Sequence, residues 1–434
     1  MEWWLLLSII VVVLVALMFF GLPICFSLGF LAIVAAAILW GAKGMFNFAT
    51  TAYGQVNSFT LVAVPLFILM ADIILYSGVS DDAFDALHKW IGSIPGGLAV
   101  ASELSCTFFA AVCGASTATT ATIGMIAVPE MRKRNYDKRL ATGCIAAGGA
   151  LGVLIPPSIL MIMYGVLAEE SIGMLFIGGI MPGLMLSLMF IGYILFRCLR
   201  NPSLGPPVPG ITWKERWSSL WKIWAILFLA IAMIVAIYTG ICTPTEVAGV
   251  GCFLALLIGL GYRRLTWGNM KKAFSSCART TCFILWILVA AMAFGYVISY
   301  LMLPQQLCGW ITGLPISRYA VLAGINLIFI GLGCIMDPGA IIMVTTPIFV
   351  PIIVSLGFDP LWFGVMFVVN MELAEITPPL GLNLYIMKGI APPDITLSDI
   401  LHGALPFMVL DAIGLALVII FPQIIMWLPS TMMP

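Results

Sequence analysis

Charged residues are scarce in this sequence. Asp, Glu, Lys and Arg make up 9% of the 434 residues, whereas hydrophobic residues make up 62%. This composition excludes a water-soluble globular protein and indicates an all-α polytopic membrane protein. Apolar stretches of about 18 residues or more recur along the chain, and a helix needs about 20 residues to cross a bilayer.

Residues and motifs that carry common chemistries are also missing. The chain has two histidines, and none of its eleven cysteines forms a C-x-x-C pair, which argues against a histidine metal centre or a redox motif. No G-x-x-x-x-G-K-[ST] loop is present, so the chain does not hydrolyse ATP. We expect no enzymatic activity, no organic cofactor and no nucleic-acid partner.

The apolar pattern predicts ten crossings and two interrupted stretches. The expected spans are 3–20, 23–41, 59–77, 139–167, 172–199, 220–241, 245–262, 279–303, 360–388 and 398–428. The stretches 96–130 and 317–356 are broken near their middles by "CGAST" (113–117) and "MDPGA" (336–340). We interpret both as re-entrant hairpins, because irregular backbone at membrane depth is tolerated only beside protein or a water-filled cavity. Two ordinary crossings per stretch are the alternative.

Basic residues indicate the orientation of these spans. The run "RKRNYDKR" (132–139) and most other Lys and Arg fall on one side of the predicted topology, and only Lys43 and Arg318 fall on the other. Since basic loops face the cytoplasm, both termini should lie outside. The first apolar segment lacks a cleavage site and is expected to be a retained span.

The sequence contains a weak internal repeat. Pro156-Pro157 and Pro378-Pro379 are 222 positions apart, and the same offset relates Pro129 to Pro351 and Met70-Ala71 to Met292-Ala293. Five spans and one hairpin per unit require the second unit to be inverted, as in many secondary transporters. We predict a first repeat at 1–200, a cytoplasmic linker at 201–219 and a second repeat at 220–434.

The two Pro-Pro pairs predict broken helices at 139–167 and 360–388. Proline lacks an amide donor and clashes with the preceding turn, which frees carbonyl oxygens for a cation. We expect 113–117 to meet 152–158 and 333–340 to meet 374–381. The exposed amino ends of the half-helices suit an anionic substrate. A proline kink that binds nothing is the alternative.

Several polar residues near these breaks have two interpretations each. Ser116 and Asp337 are candidate Na⁺ ligands, although either residue fits a helix cap equally well. Glu375, with Glu372, is either an ion ligand or proton carrier or a residue paired with Arg or nearby backbone. Asn383 is a candidate substrate donor, as are Ser116, Thr117 and Ser158. Asp72 and Glu103 are expected to be hydrogen-bonded helix contacts.

Three segments in combination resemble one known family. These are "CGASTATTATIGMIAVPEMRKRNY", "ALGVLIPPSILMIMYG" and "MELAEITPPLGLNLY". They are similar to the large membrane subunit of tripartite ATP-independent periplasmic (TRAP) transporters, and the likeness extends from about residue 4 to about residue 428. The resemblance implies an elevator-type importer of organic acids, driven by a Na⁺ gradient, in a bacterial or archaeal cytoplasmic membrane. It also implies a small four-helix membrane subunit and a periplasmic solute-binding protein as partners.

The resemblance also implies two Na⁺ sites. The residues at the matching positions of the first are Cys113, Ala115, Gly152, Ile155 and Pro157, acting mostly through carbonyl oxygens. Those of the second are Gly333, Ala374, Thr377 and Leu380. Cys113 and Ala115 lack the hydroxyl that serine would supply, so side-chain coordination is not expected there. Ser116 and Asp337 are two further candidate Na⁺ ligands, which rest on their own side-chain oxygen atoms and positions and not on the resemblance.

The scaffold of this elevator is expected to include 3–41 and 220–262. Its apolar faces should contact the small subunit, with 42–58 as a brace along the outer interface. The alternative within transport is a Na⁺- or H⁺-coupled di- or tricarboxylate elevator carrier that works without a binding protein. A polytopic enzyme or a channel is less favoured, because neither clustered catalytic residues nor repeated pore-lining polarity occurs.

Overall fold

The fold of the chain consists of helices and the segments that connect them. A computed structural model describes residues 2–41, 46, 49–50, 53–54, 57–208 and 210–432, and all regular secondary structure in these ranges is helical. The proposed brace at 42–58 lies almost entirely outside the described residues.

The first half contains nine described α-helices. They are α1 (Trp3–Phe19), α2 (Ile24–Trp40), α3 (Ala63–Tyr76), α4 (Val79–Ile91), α5 (Gly97–Cys113), α6 (Ser116–Lys133), α7 (Lys138–Ala150), α8 (Ile159–Ala168) and α9 (Ile172–Arg200). A 3₁₀ turn at Phe59–Val62 leads into α3, and another at Leu151–Val153 follows α7.

The second half adds ten described α-helices. They are α10 (Trp213–Tyr238), α11 (Pro244–Gly261), α12 (Trp267–Tyr300), α13 (Leu303–Thr312), α14 (Arg318–Gly333), α15 (Pro338–Ser355), α16 (Pro360–Ile376), α17 (Leu382–Ile390), α18 (Leu397–Ile420) and α19 (Gln423–Met426). The last part of the predicted linker, from residue 213, is therefore the first two turns of α10.

Six continuous helical segments among the described residues are long and apolar enough to cross a membrane. They are Phe59–Tyr76, Ile172–Arg200, Pro244–Gly261, Trp267–Tyr300, Pro338–Ser355 and Leu397–Ile420. The first two predicted spans are apolar helices of 17 residues each. Because α15 is itself long enough to cross, two crossings remain an alternative for 317–356. The predicted spans 279–303 and 398–428 have different limits, since α12 begins at Trp267 and α18 ends at Ile420.

Helix ends lie at all four expected interruptions. Tip 1 is residues 114–115 between α5 and α6, and tip 2 is residues 334–337 between α14 and α15. Break 1 is residues 154–158 before α8, and break 2 is residues 377–381 between α16 and α17. Both Pro-Pro bonds are cis.

The order of helices repeats with the offset seen in the sequence. The helices α6 and α15 begin at residues 116 and 338, and α7 and α16 begin at 138 and 360, in both cases 222 positions apart. Each half therefore places a helix, a tip, a second helix and a broken helix in the same succession. The inverted orientation of the two halves stays a prediction.

The two helices that precede the breaks form the centre of the molecule. All side chains of α7 from Leu140 onward and all those of α16 from Leu361 onward are buried. Small residues let α7 approach its neighbours: a Cβ added to Gly143 would lie 2.2 Å from the carbonyl oxygen of Gly403 on α18. Both broken helices are therefore anchored on the side before the break.

The basic run 132–139 is partly neutralised by acidic residues that precede or begin α18. Arg132 pairs with Asp394 at 2.5 Å, and Lys138 pairs with Asp399 at 2.7 Å. The linker also contacts this region, because the amide of Asp137 donates to the carbonyl of Leu204. These contacts hold the start of α7 and the start of α18 together.

Candidate functional site at the four helix interruptions

Tip 1 lies directly against break 1. The amide of Ile159 donates to the carbonyl oxygen of Gly114 at 3.4 Å. A Cβ added to Gly114 would lie 2.3 Å from the carbonyl oxygen of Pro157, and one added to Gly152 would lie 2.9 Å from that of Ala115. The backbones meet this closely only because both positions are glycine.

Tip 2 has the same relationship to break 2. A Cβ added to Gly333 would lie 2.4 Å from the Cβ of Ala374, and the Cys334 thiol donates to the carbonyl of Pro378 at 3.4 Å. In each half, therefore, the tip contacts the break that follows it in the chain, as we expected from the sequence.

Several expected cation ligands have carbonyl oxygens free for a cation. Within the described residues, the carbonyl oxygens of Cys113, Ile155, Pro157, Gly333 and Leu380 accept no hydrogen bond. The carbonyl oxygen of Ala374 accepts one hydrogen bond, from the amide of Thr377, whereas that of Ala115 accepts two, from the amide and the hydroxyl of Thr119. Since a carbonyl oxygen has two lone pairs, one acceptor position remains on Ala374 and none on Ala115, which argues against Ala115 as a cation ligand.

The two halves are joined by side chains between tip 1 and break 2. Ser116 Oγ donates to Glu375 Oε1 at 2.6 Å. Asn383 Nδ2 donates to Glu375 Oε2 at 3.5 Å and to the carbonyl of Ala146 at 3.3 Å. Ser116 is therefore not a local helix cap, because its hydroxyl binds a residue 259 positions away.

A cavity of about 320 Å³ lies where the tips and breaks converge. Its walls come from both tips, from residues that flank both breaks, and from α12. The lining residues include Gly114, Ala115, Ser116, Thr117, Val153, Ile159, Leu160, Thr280, Phe283, Ile284, Ile287, Asp337, Pro338, Gly339, Glu375 and Leu382. Two carboxyl groups line this cavity, and no Lys, Arg or His is among its described lining residues.

Four helices begin at the cavity wall. Ser116, Ile159, Pro338 and Leu382 are the first residues of α6, α8, α15 and α17, and all four line the cavity. A helix amino terminus carries free amide donors and a partial positive charge, so these four termini partly offset the two carboxyl groups that line the cavity.

Two of these four amino termini are capped by their own side chains. Ser158 accepts a hydrogen bond from the amide of Met161, and Asp337 accepts from the amides of Gly339 and Ala340. The first turns of α6 and α17 have no side-chain cap. Asp337 therefore acts as a helix cap in this structure. The amides in the first turns of α6 and α17 remain available to a ligand.

The other expected substrate residues have different environments. Thr117 is exposed and lines the cavity. Ser158 is fully buried, and its hydroxyl donates to the carbonyl of Val153. Asn383 is also fully buried and contacts Glu375 rather than the cavity. Thr377 donates its hydroxyl to the carbonyl of Leu373 at 2.6 Å and ends α16.

The remaining buried acids only partly match their interpretations. Asp72 accepts a hydrogen bond from Ser276 on α12, as expected for a helix contact. The same expectation is wrong for Glu103, because both of its carboxyl oxygens are buried without a hydrogen-bond partner. Glu372 is in the same state, and so is Asp411, a residue without a sequence-based prediction. No cluster of three or more His, Cys, Asp or Glu suited to a metal ion occurs in the described part of the chain.

Comparisons with known proteins agree with this architecture. The sequence model of the tripartite ATP-independent periplasmic transporter, DctM component, matches residues 11–424. The C4-dicarboxylate TRAP transporter large permease protein of Pseudomonas aeruginosa is 34% identical over 397 residues, which cover 91% of each chain. The sialic acid TRAP transporter large permease protein of Vibrio cholerae is 31% identical and covers 95% of this chain and 96% of its own.

A solved structure shares the fold at low sequence identity. The YdaH transporter of Alcanivorax borkumensis superposes with a TM-score of 0.65 at 16% identity, over 92% of this chain and 98% of that one. At this identity the likeness concerns the fold alone.

Proposed function

The chain belongs to the TRAP transporter family as its large permease component, and we propose that it imports an organic acid anion together with Na⁺ by an elevator movement. As a family member with several long apolar helices, it is a multi-pass membrane protein. The observation that carries the proposal is the convergence of four helix amino termini on one cavity. Such termini bind anions through backbone amides and the helix dipole.

The carboxylate or sulfonate of the substrate is received by the uncapped termini of α6 and α17. Ser158 and Asp337 already occupy amides at the starts of α8 and α15. Substrate chemistry among the relatives varies, since one is named for a C4-dicarboxylate and another for sialic acid. We therefore assign this chain an organic acid without choosing one of them.

Na⁺ supplies the charge that an anion needs in this cavity. Asp337 and Glu375 both face it, and the described lining residues include no basic side chain. An anion that enters beside two carboxylates is repelled unless cations bind first. The first Na⁺ takes the free carbonyls of Cys113, Ile155 and Pro157, and the second takes those of Gly333 and Leu380, because hard oxygen ligands suit this ion.

The elevator movement uses the two halves as inverted repeats. Tips and breaks move as one transport domain with the cavity between them, while the scaffold, which includes α1, α2, α10 and α11, stays fixed. The close tip-to-break contacts within each half support motion as one body. Na⁺ binding orders the tips, and substrate then binds to a site that is already assembled.

The family supports our proposal for the partners and the membrane, and the distribution of Lys and Arg supports the proposed orientation of the termini. The small four-helix membrane subunit contacts the scaffold, where large apolar side chains such as Phe19, Phe26 and Phe30 are exposed on α1 and α2. A periplasmic solute-binding protein delivers the substrate. The chain lies in a bacterial or archaeal cytoplasmic membrane with both termini outside.

Uptake by proteoliposomes tests this function. They contain this chain with its small subunit, the binding protein is added outside, and labelled C4-dicarboxylate and sialic acid are the probes. We expect accumulation with an inward Na⁺ gradient and none when K⁺ replaces Na⁺. Equal uptake in K⁺ contradicts Na⁺ coupling, and full uptake without the binding protein favours the carrier that works alone.

A further inference from the structure

A buried series of hydrogen bonds connects the two halves of the protein beside the cavity. It contains Ser116 at the start of α6, Glu375 near the end of α16, Asn383 in α17 and the carbonyl of Ala146 in α7. Ser116 is 2% exposed, Glu375 is 4% exposed and Asn383 is fully buried. The helices α6, α16 and α17 each begin or end at a tip or a break, and α7 is separated from break 1 only by the turn Leu151–Val153. These hydrogen bonds therefore connect segments that surround both proposed cation sites.

Glu375 stands between the residues assigned to the two cation sites. Ala374 and Thr377 are assigned to the second site, and Glu375 directly follows Ala374 and lies two positions before Thr377. Through Oε1 it binds Ser116, which lies three positions after the first-site residue Cys113. One side-chain hydrogen bond of 2.6 Å therefore separates a backbone segment of the first site from one of the second.

The chemistry of this contact makes it hard to break. Glu375 has neutral hydrogen-bond donors and no ion pair with Lys, Arg or His in the described residues. Both residues of the Ser116–Glu375 hydrogen bond are buried, so water does not compete for it. Its loss would leave a hydroxyl and a carboxyl group buried without their main partner, which is unfavourable. A shift of tip 1 is therefore expected to pull break 2 with it.

We propose that Glu375 is a positioning residue that couples the two cation sites through Ser116, so that occupancy of one raises the affinity of the other. This inference depends on the proposed function, because it requires two cation sites. Cation binding at break 1 fixes tip 1 and its Ser116, which fixes Glu375 and the backbone of break 2. By linkage the effect is reciprocal.

Equilibrium Na⁺ binding by the purified full chain tests the coupling. Binding is followed by intrinsic tryptophan fluorescence over a Na⁺ titration, with choline chloride holding the ionic strength constant. For the unchanged chain we expect a Hill coefficient well above 1. Ser116→Ala and Glu375→Ala should lower it toward about 1 and raise the half-saturating Na⁺ concentration, roughly five-fold or more, as loss of a coupling of this class predicts.

Two further variants separate positioning from simple loss of stability. Glu375→Gln keeps an acceptor for the Ser116 hydroxyl and should retain most of the cooperativity. Ser105→Ala is the matched control, because Ser105 is 1% exposed and donates only to the carbonyl of Ala101 in its own helix. It should leave the Hill coefficient unchanged even if it lowers the thermal stability of the protein.

The possible failures are distinguishable. If the unchanged chain does not bind Na⁺ in this titration, the proposed Na⁺ coupling is contradicted and the inference falls with it. Suppose that the unchanged chain binds Na⁺ cooperatively. If Ser116→Ala keeps the Hill coefficient, or if Glu375→Gln loses it, the proposed coupling through this hydrogen bond is wrong, while Na⁺ coupling itself stands. If Glu375→Ala does not fold, Ser116→Ala and Glu375→Gln still decide the question.

Discussion

Gly333 at the end of α14 lies so close to Ala374 of α16 that a Cβ on Gly333 would be 2.4 Å from the Ala374 Cβ. Gly333→Ala should therefore push tip 2 away from break 2 and weaken the second cation site. Overpacking of this kind costs about 1 to 3 kcal/mol. If it acts on cation affinity, half-saturating Na⁺ should rise roughly 5- to 150-fold.

The matched control for this substitution is Gly331→Ala. Gly331 lies in the same helix, two residues earlier, and a Cβ there meets nothing within 4 Å. Uptake measured against Na⁺ concentration should be normal for Gly331→Ala. Equal Na⁺ dependence of the two variants is inconsistent with a role for the Gly333–Ala374 contact.

Gly114 in tip 1 combines a left-handed backbone with a close contact. Its φ is +66°, and an added Cβ would lie 2.3 Å from the carbonyl oxygen of Pro157. Gly41 has a φ of +61° and a ψ of −147°, a conformation at least as unfavourable for alanine as that of Gly114, and the space around it is open. Gly41→Ala therefore carries backbone strain without the contact and should lose only thermal stability, about 1 to 3 kcal/mol, whereas Gly114→Ala should abolish Na⁺-dependent uptake. Similar uptake by both variants speaks against close approach at tip 1.

Thr377 ends α16 at the second proposed cation site. Thr377→Val should raise the Na⁺ concentration for half-maximal transport, because valine keeps the shape and removes the hydroxyl. Thr346→Val is a suitable control, since Thr346 makes the same bond to the carbonyl four residues back, at 2.6 Å, away from break 2. An unaltered Na⁺ dependence removes Thr377 from the set of side-chain ligands.

His88 on the amphipathic helix α4 predicts a pH effect on stability. Burial lowers the pKa of His88 below its usual value, and the Arg134 guanidinium lowers it further. The unfolded chain then binds a proton at His88 at a higher pH than the folded chain does, so stability falls as the pH drops through about 6.5. The folded state favours the neutral imidazole, so the difference in unfolding midpoint between the unchanged chain and His88→Gln should be largest above neutrality. This difference should shrink as the pH falls. Parallel pH curves contradict a contribution from His88.

Local chemistry made the interruptions predictable. Pro156-Pro157 and Pro378-Pro379 cannot continue a helix, and glycine or proline marks both tips, so these positions follow from backbone geometry alone. Helices α4 and α13 were not predicted, because their apolar faces alternate with polar residues and do not form long hydrophobic runs. Charges near helix ends were equally hard to interpret, as Asp337 fits both a cap and a ligand.

The sequence by itself determined the membrane environment, the four helix interruptions and the 222-residue offset, because each depends on residues that are near one another or on a simple spacing. Only the tertiary structure decided that Ser116 binds Glu375 rather than its own helix and that Glu103, Glu372 and Asp411 are buried without partners. It also decided that four amino termini share one cavity. These features depend on how helices far apart in the chain pack together, and the pattern of residues along one helix does not specify the neighbour that its buried polar groups will face.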